Sequence, residues 1–265
     1  MPRFSSFDGT EIMYQEWGTD AADATPAARM PPVVLHHGFI ADANLNWVAP
    51  GVVAALVRAG RRVLALDARG HGASGKPHDP SFYGEDKMAA DLRRLFDLTR
   101  APQIDLAGYS MGAIVSLLTA SQDARVRRLV VGGVGGGLVE RQGLVASQAT
   151  PAARGSIAAA LRAPDAASIQ NPIAMRFRAL ADRVGTDREA LAACAEASFT
   201  STIPFDQITA PTLVLVGDAD PLATRPEALA AAIPQAQLRV IAGDHMSAVL
   251  NPAFAPAIVD FLGMA

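Results

Sequence analysis

The pentapeptide Gly108-Tyr109-Ser110-Met111-Gly112 is the strongest chemical signal in the chain. It follows the apolar run Ile104-Asp105-Leu106-Ala107 and precedes a stretch with Ile114, Val115, Leu117 and Leu118 on an amphipathic pattern. A serine on a sharp strand-to-helix turn sits in strained geometry, its hydroxyl pushed clear of the sheet. Glycines two before and two after keep so tight a turn free of side-chain collisions. The helix N-terminus behind the serine adds partial positive charge where an oxyanion would develop. A serine hydroxyl is a poor nucleophile unless a base takes its proton. Of His36, His37, His71, His78 and His245, only His245 follows the last strand-like run. Its loop falls on the carboxyl edge, where open α/β sheets bind ligands. The plainer role for His245 is a surface or helix-capping histidine. A carboxylate must orient the imidazole, and Gly217-Asp218-Ala219-Asp220-Pro221 offers two at the same edge. Asp220 is favoured, because Asp218 has the competing use of bonding turn amides. Asp244 adjoins His245 but is expected to point away and act structurally.

These groups need a sheet to hold them. Residues 2–6 and 11–17 flank Asp8-Gly9, a hairpin turn signal. Residues 19–32 are small, polar and proline-bearing, and predict a surface loop. Apolar runs follow at 33–35, 62–66, 104–107, 129–131, 212–216 and 238–241, the pattern of strands buried on both faces. Helices are predicted at 50–59, at 84–98 with Met88, Leu92, Leu95 and Phe96 on one stripe, and from Met111 to about Ser121. A last helix is predicted to begin at Asn251-Pro252, an N-cap followed by proline. Alternation of strand and helix argues for a mostly parallel sheet covered on both faces. Residues 138–205 break that rhythm with alanine-rich helical patterns and no strand. Such a length exceeds an ordinary connection. The expected organisation is therefore a core of 1–137 and 206–265 with a helical cap, or lid, over 138–205. The alternative for that segment is an ordinary packing insertion.

The order Ser110, Asp220, His245 carries a family resemblance, as do two further runs. One is His36-His37-Gly38-Phe39; the other is Asp67-Ala68-Arg69-Gly70-His71-Gly72-Ala73-Ser74. Together they resemble the α/β-hydrolase superfamily over essentially the full length. The resemblance implies an α/β fold with a mostly parallel eight-stranded sheet flanked by helices, carrying a helical lid. It also implies a Ser110, Asp220, His245 triad and an oxyanion hole from the backbone amides of Phe39 and Met111. Gly38 suits that place, since a residue without a side chain lets backbone approach a ligand closely. The side chains of Phe39 and Met111 are then free to line an acyl pocket. Further candidate pocket residues are His37, Tyr109, Met175, Phe177 and Phe199. His37 has a packing or loop-bonding role as its simpler reading, and the lid residues have plain helix packing as theirs. Asp67, Arg69 and His71 are read as a network fixing their loop. The glycine run 132–137 is not a dinucleotide fingerprint, because the spacing fails at Leu138.

The expected function is a carboxylesterase-like serine hydrolase acting on a small or medium, largely apolar ester. Carbon–carbon, lactone or amide cleavage by the same triad is the alternative. A non-catalytic binding protein on a hydrolase scaffold is a further class. No cofactor and no metal are expected, since no Walker or HExxH motif occurs and the single cysteine, Cys194, excludes a multi-cysteine site. The net charge of −3 lacks the basic stripe of a nucleic-acid partner. Arg125, Arg127 and Arg128 are read as a solvated strand entry. The expected partner is a small-molecule substrate, without nucleic acid or membrane, and the oligomeric state stays open. The opening residues lack a basic stretch followed by an apolar one, which predicts a cytoplasmic protein.

Overall fold

The computed structural model describes residues 1–18, 30–144, 151–197 and 201–264. The loop predicted at 19–32 therefore lies mostly outside the described residues, as does Phe199. The chain opens with a hairpin of β1 (Arg3–Ser5) and β2 (Glu11–Trp17), turning at Gly9 with a left-handed φ of 83°. Next come β3 (Val33–His36), β4 (Val63–Leu66), β5 (Ile104–Tyr109), β6 (Val126–Gly132), β7 (Thr212–Gly217) and β8 (Ala236–Ile241). They form one eight-stranded sheet in the order β1-β2-β4-β3-β5-β6-β7-β8, parallel throughout from β4 to β8.

Side chains alternate between the two faces with period two. Val34, Leu64, Leu66 and Leu106 pack beneath α2 (Glu85–Thr99) and α3 (Met111–Gln122). The predicted stripe of Met88, Leu92, Leu95 and Phe96 closes that face. Val33, Leu35, Val63, Ala65 and Ala107 pack on the other face against α1 (Val52–Arg58) and α9 (Phe254–Gly263).

Three expectations are corrected. Strand β8 is an edge rather than a strand buried on both faces: Leu238 is 37% and Val240 51% exposed. The last helix starts at Phe254, not at Asn251-Pro252; Asn251 instead makes a turn, its Oδ1 accepting from Ala253 N–H at 2.8 Å. The arginines at the start of β6 are engaged rather than solvated. Arg127 Nη2 lies 2.7 Å from Asp105 Oδ2, and the buried Arg61 pairs with the same carboxylate. Arg127 also donates to Leu262 O at 2.8 Å, tying the last helix to the sheet floor. Two elements carried no clear sequence signal: the short helix α8 (Pro226–Ala232) and a π-helical turn at Asn44–Val48.

Between β6 and β7 the described chain forms α4 (Gly137–Leu144), α5 (Pro151–Arg162), α6 (Pro172–Val184) and α7 (Arg188–Glu196). Asn171 caps α6, its Oδ1 accepting from Ile173 and Ala174 N–H. Arg178 of α6 donates to Ala160 O at 3.1 Å, adding a second donor to a carbonyl in the last turn of α5. Leu161, Ala181, Leu191 and Ala195 form a small core with Ile40, packed against Phe39 and Phe177. These helices thus rest on the loop after β3.

Candidate active site

The turn from β5 into α3 places Ser110 at φ 53°, ψ −115°. A side chain in that region stores about 1–3 kcal/mol of strain. The two glycines make the turn possible. A Cβ on Gly108 would collide with the Gly112 carbonyl, and one on Gly112 would collide with the His36 and His37 carbonyls. Ser110 N–H donates to Gly132 O at 2.8 Å, locking the turn to the neighbouring strand.

His245 reaches over from the loop after β8. Its Nε2 lies 3.0 Å from Ser110 Oγ, and its Nδ1 lies 2.8 Å from Asp220 Oδ2. A carboxylate accepts only, so Nδ1 carries the proton and Nε2 offers its lone pair to the serine hydroxyl. The Asp220 side chain is fully buried, and its Oδ1 accepts from Leu222 N–H at 2.8 Å. The other two aspartates have other partners. Asp218 Oδ1 accepts from Gly243 N–H at 2.9 Å, joining the loop after β7 to the histidine loop. Asp244 accepts from Ser247 and Met246, bonds that hold its carboxyl below the usual range. Tyr109 donates its hydroxyl to His245 O at 2.7 Å. Burial, with Asp220 nearby, pushes that phenol far up, so it remains a donor. The glycine run after β6 has a role the sequence did not disclose. A Cβ on Gly133 would come within 2.8 Å of the Tyr109 ring and 3.0 Å of His245 Cε1. Gly135 and Gly136 likewise make room for residues 223–225.

The amides of Met111 and Phe39 have no hydrogen-bond partner among the described residues. Met111 N–H is at the first position of α3, where helices leave donors unpaired. Phe39 N–H shares a planar trans peptide with Gly38 C=O, so the two point in opposite directions. That carbonyl accepts from His37 Nδ1 at 2.7 Å and from Ala41 N–H at 3.2 Å. The next residue, Ile40, is buried at φ 70°, a second strained point in the same loop.

A cavity of about 530 Å³ opens over Ser110. Phe39, Tyr109, Met111 and Phe177 are on its wall, joined by Ile114, Val134, Leu138, Ile157, Ile173 and Leu180. No lysine or arginine lines it among the described residues, and Glu85 is the one carboxylate. Two pocket expectations are corrected. Met175 does not line the cavity; it is 44% exposed on the outer side of α6. His37 is wholly buried, with Nε2 accepting from Ala68 N–H at 2.9 Å, so both its nitrogens serve the backbone. Asp67 accepts from Ala43 and Ala73 N–H, while Arg69 pairs with Asp91 and Asp8, giving the loop after β4 its expected network. Asn46, which carries no sequence signal, lines the cavity, and its side-chain Oδ1 accepts from Gly38 N–H at 2.8 Å.

His36, His37 and His71 form a buried row with ring centroids 5.8 and 5.2 Å apart. Burial lowers the basicity of all three, that of His36 to about 3, and neighbouring imidazoles add to the effect at His36 and His71. Carboxylates of Asp67 and Asp42 offset part of it at His37. The unfolded chain therefore binds more protons than the folded one below about pH 6.5, and stability falls as pH falls. Each histidine contributes up to about 1.4 kcal/mol per pH unit in that range. The melting temperature is expected to hold between about pH 8 and 7 and to drop steeply below about 6.5. A profile flat down to about pH 5 would contradict this account.

Residues 31–252 match the family model for the alpha/beta hydrolase fold, and the chain belongs to that family. The zebrafish (Danio rerio) sn-1-specific diacylglycerol lipase ABHD11 is 41% identical over 102 residues, which is 38% of this chain and 30% of that one. The matched stretch thus spans about a third of the curated relative's length. A hydrolase from Pseudomonas aeruginosa superposes with a TM-score of 0.72 at 28% identity, covering 99% of this chain and 98% of that one. The enol-lactonase from Burkholderia xenovorans gives 0.73 at 26%, covering 99% and 100%. Membership carries hydrolase relatives with it, and among the described residues no helix is long and apolar enough to cross a membrane.

Proposed function

We propose that the protein is a serine hydrolase that cleaves a neutral, small or medium, largely apolar ester through an acyl-enzyme. The observation that carries this is the placement of His245 between Ser110 Oγ and Asp220 Oδ2, at 3.0 and 2.8 Å. His245 Nε2 takes the hydroxyl proton as Ser110 Oγ attacks the ester carbon. The carbonyl electrons move onto oxygen, where the Phe39 and Met111 amides stabilise them. His245 returns the proton to the leaving alkoxide as the C–O bond breaks. Water then repeats the sequence on the acyl-serine, releasing acid and free Ser110. Asp220 stays ionised and keeps the imidazole in the productive tautomer. The helices over 138–205 act as a cap, supplying Phe177, Ile173 and Leu180 to the cavity wall.

The cavity wall supports a neutral substrate. A carboxylate or phosphate buried there would find no cationic side chain among the described residues and would meet Glu85. Lactone opening is the second reading, favoured by the likeness to the enol-lactonase; a lactone is a cyclic ester and needs the same steps. The test is hydrolysis of p-nitrophenyl butyrate against mono-p-nitrophenyl succinate, which adds a charge at similar size. The neutral ester is expected to have a kcat/KM at least about tenfold higher. Preference for the anion would overturn the assigned substrate class, and turnover of neither ester nor of a simple lactone would remove the hydrolase reading.

A further inference from the structure

We propose that Asn46 is a positioning residue for the oxyanion site, locking the peptide before Gly38 so that the Phe39 amide faces the reacting carbonyl. The inference rests on the acyl-transfer reading above and names a residue that reading does not require. Gly38 is the weak point of the loop, because a residue without a Cβ can take up many backbone conformations. A Cβ there would sit tightly, 3.3 Å from Ser110 Cβ, and in ordinary contact, 3.6 Å, with Asn46 Oδ1. The same position thus borders both Asn46 and the nucleophile. With glycine at 38, the loop depends on hydrogen bonds from its neighbours to hold its shape.

Two peptide planes meet at Gly38, and each has a lock. The plane that carries Phe39 N–H is held through Gly38 O by His37 Nδ1 and Ala41 N–H. The preceding plane carries Gly38 N–H, which donates to Asn46 Oδ1 at 2.8 Å, while its carbonyl, His37 O, faces His36 Nδ1 at 3.1 Å, so Asn46 is the contact on the cavity side. With both planes fixed, the Gly38 dihedrals are fixed. Remove the Asn46 bond and the plane before Gly38 loosens, so that the Gly38 dihedrals, and through them the oxyanion donor, are held from one side less firmly.

The way Asn46 is held supports the same conclusion. It sits in the π-helical turn Asn44–Val48, closed by Ala49 N–H to Asn44 O at 2.8 Å. Such widened turns are rare and often occur at functional sites. This one turns the adjacent residues Asn46 and Trp47 inward together, at 5% and 1% exposure. Among the described residues Asn46 Nδ2 is buried and finds no partner. An unpaired buried donor destabilises a fold, so packing alone does not account for an amide where leucine has nearly the same size. The acceptor at Oδ1 accounts for it.

The test uses Asn46→Leu and Asn46→Ser in the full chain, with p-nitrophenyl butyrate as substrate. Asn46→Leu is expected to lower kcat by about 10- to 100-fold with KM changed less than about threefold, since misplacing one oxyanion donor costs less than deleting it. Asn46→Ser, which keeps a shorter acceptor, is expected to fall between Asn46→Leu and wild type. Inhibition by an alkyl trifluoromethyl ketone, which adds to the serine as an oxyanion, should weaken by the same factor as kcat/KM. Inhibition by the matching methyl ketone, bound without addition, should stay within about threefold. Equal weakening of both ketones, or a kcat within about twofold of wild type in folded Asn46→Leu, would overturn the proposal. Should Asn46→Leu fail to fold, wild-type kinetics in Asn46→Ser would overturn it equally. Ser110→Ala run in parallel separates the two levels. If that variant is dead and Asn46→Leu is normal, only the positioning role falls. If Ser110→Ala retains activity, the acyl-transfer reading falls first.

Discussion

Replacing Ser110 with alanine is expected to lower turnover of p-nitrophenyl butyrate by about 10⁶-fold while leaving KM nearly unchanged. The size follows from what the variant loses. Without Oγ no acyl-enzyme can form, and His245 Nε2 has no hydroxyl at 3.0 Å to deprotonate. What survives is substrate binding and the two amides, which in comparable sites retain about 10³–10⁴-fold over water. Alanine keeps the Cβ, so the strain at φ 53° remains and the fold should melt within a few degrees of wild type. A fluorophosphonate should label wild type on the peptide containing Ser110 and fail to label the variant. Retention of more than about a tenth of wild-type turnover would mean that the nucleophile is elsewhere. Among the described residues Cys194 offers no substitute: it is buried within α7, and burial pushes its thiol far up.

Much of the fold was legible because its signals are local. The hairpin at Asp8-Gly9 needs only a left-handed glycine, and the buried strands β3 to β7 need only apolar runs. The elbow around Ser110 announces itself by two glycines whose absent side chains leave room for carbonyls. What was misread depends on partners distant in sequence. Leu238 and Val240 look like core residues, and only the strand order shows that β8 has no neighbour on one side. Arg127 reads as a surface charge until Asp105, 22 residues earlier, is found buried beside it. Gly133 and Gly135 carry no motif; their role appears when Tyr109, His245 and residues 223–224 are seen against them. Asn46 is the sharpest case. Nothing in Leu45-Asn46-Trp47 marks the asparagine, since its side chain works on a backbone N–H eight residues back. His37 shows the converse: its type and place beside Gly38 drew attention, but its two nitrogens serve the backbone beneath the site rather than the cavity.

Asp220→Asn is expected to lower kcat by about 10⁴-fold, and Asp218→Asn to change it by less than about threefold. The two aspartates stand two residues apart, so the contrast isolates geometry from composition. At Asp220 the carboxylate accepts from His245 Nδ1 at 2.8 Å and from Leu222 N–H at 2.8 Å. An amide there can turn its oxygen to Leu222 and present its NH₂ group to the imidazole. Nδ1 must then accept, the ring proton moves to Nε2, and the base facing Ser110 has lost its lone pair. The buried position makes this worse, because an imidazolium formed in the transition state would have no anion beside it. At Asp218 the bond is different. Its Oδ1 accepts from Gly243 N–H, and asparagine keeps that oxygen. The loops after β7 and β8 thus stay joined, with Gly217 still packed on the Gly243 carbonyl. A large loss in both variants would mean that the contact between the loops, rather than the charge on Asp220, sets the histidine. A large loss in Asp218→Asn alone would move the acid to that residue and require the loop to rearrange when substrate binds. The expected pattern, loss only at Asp220, makes the charge facing Nδ1 the quantity that matters and leaves Asp218 as the tie that holds the histidine loop in reach.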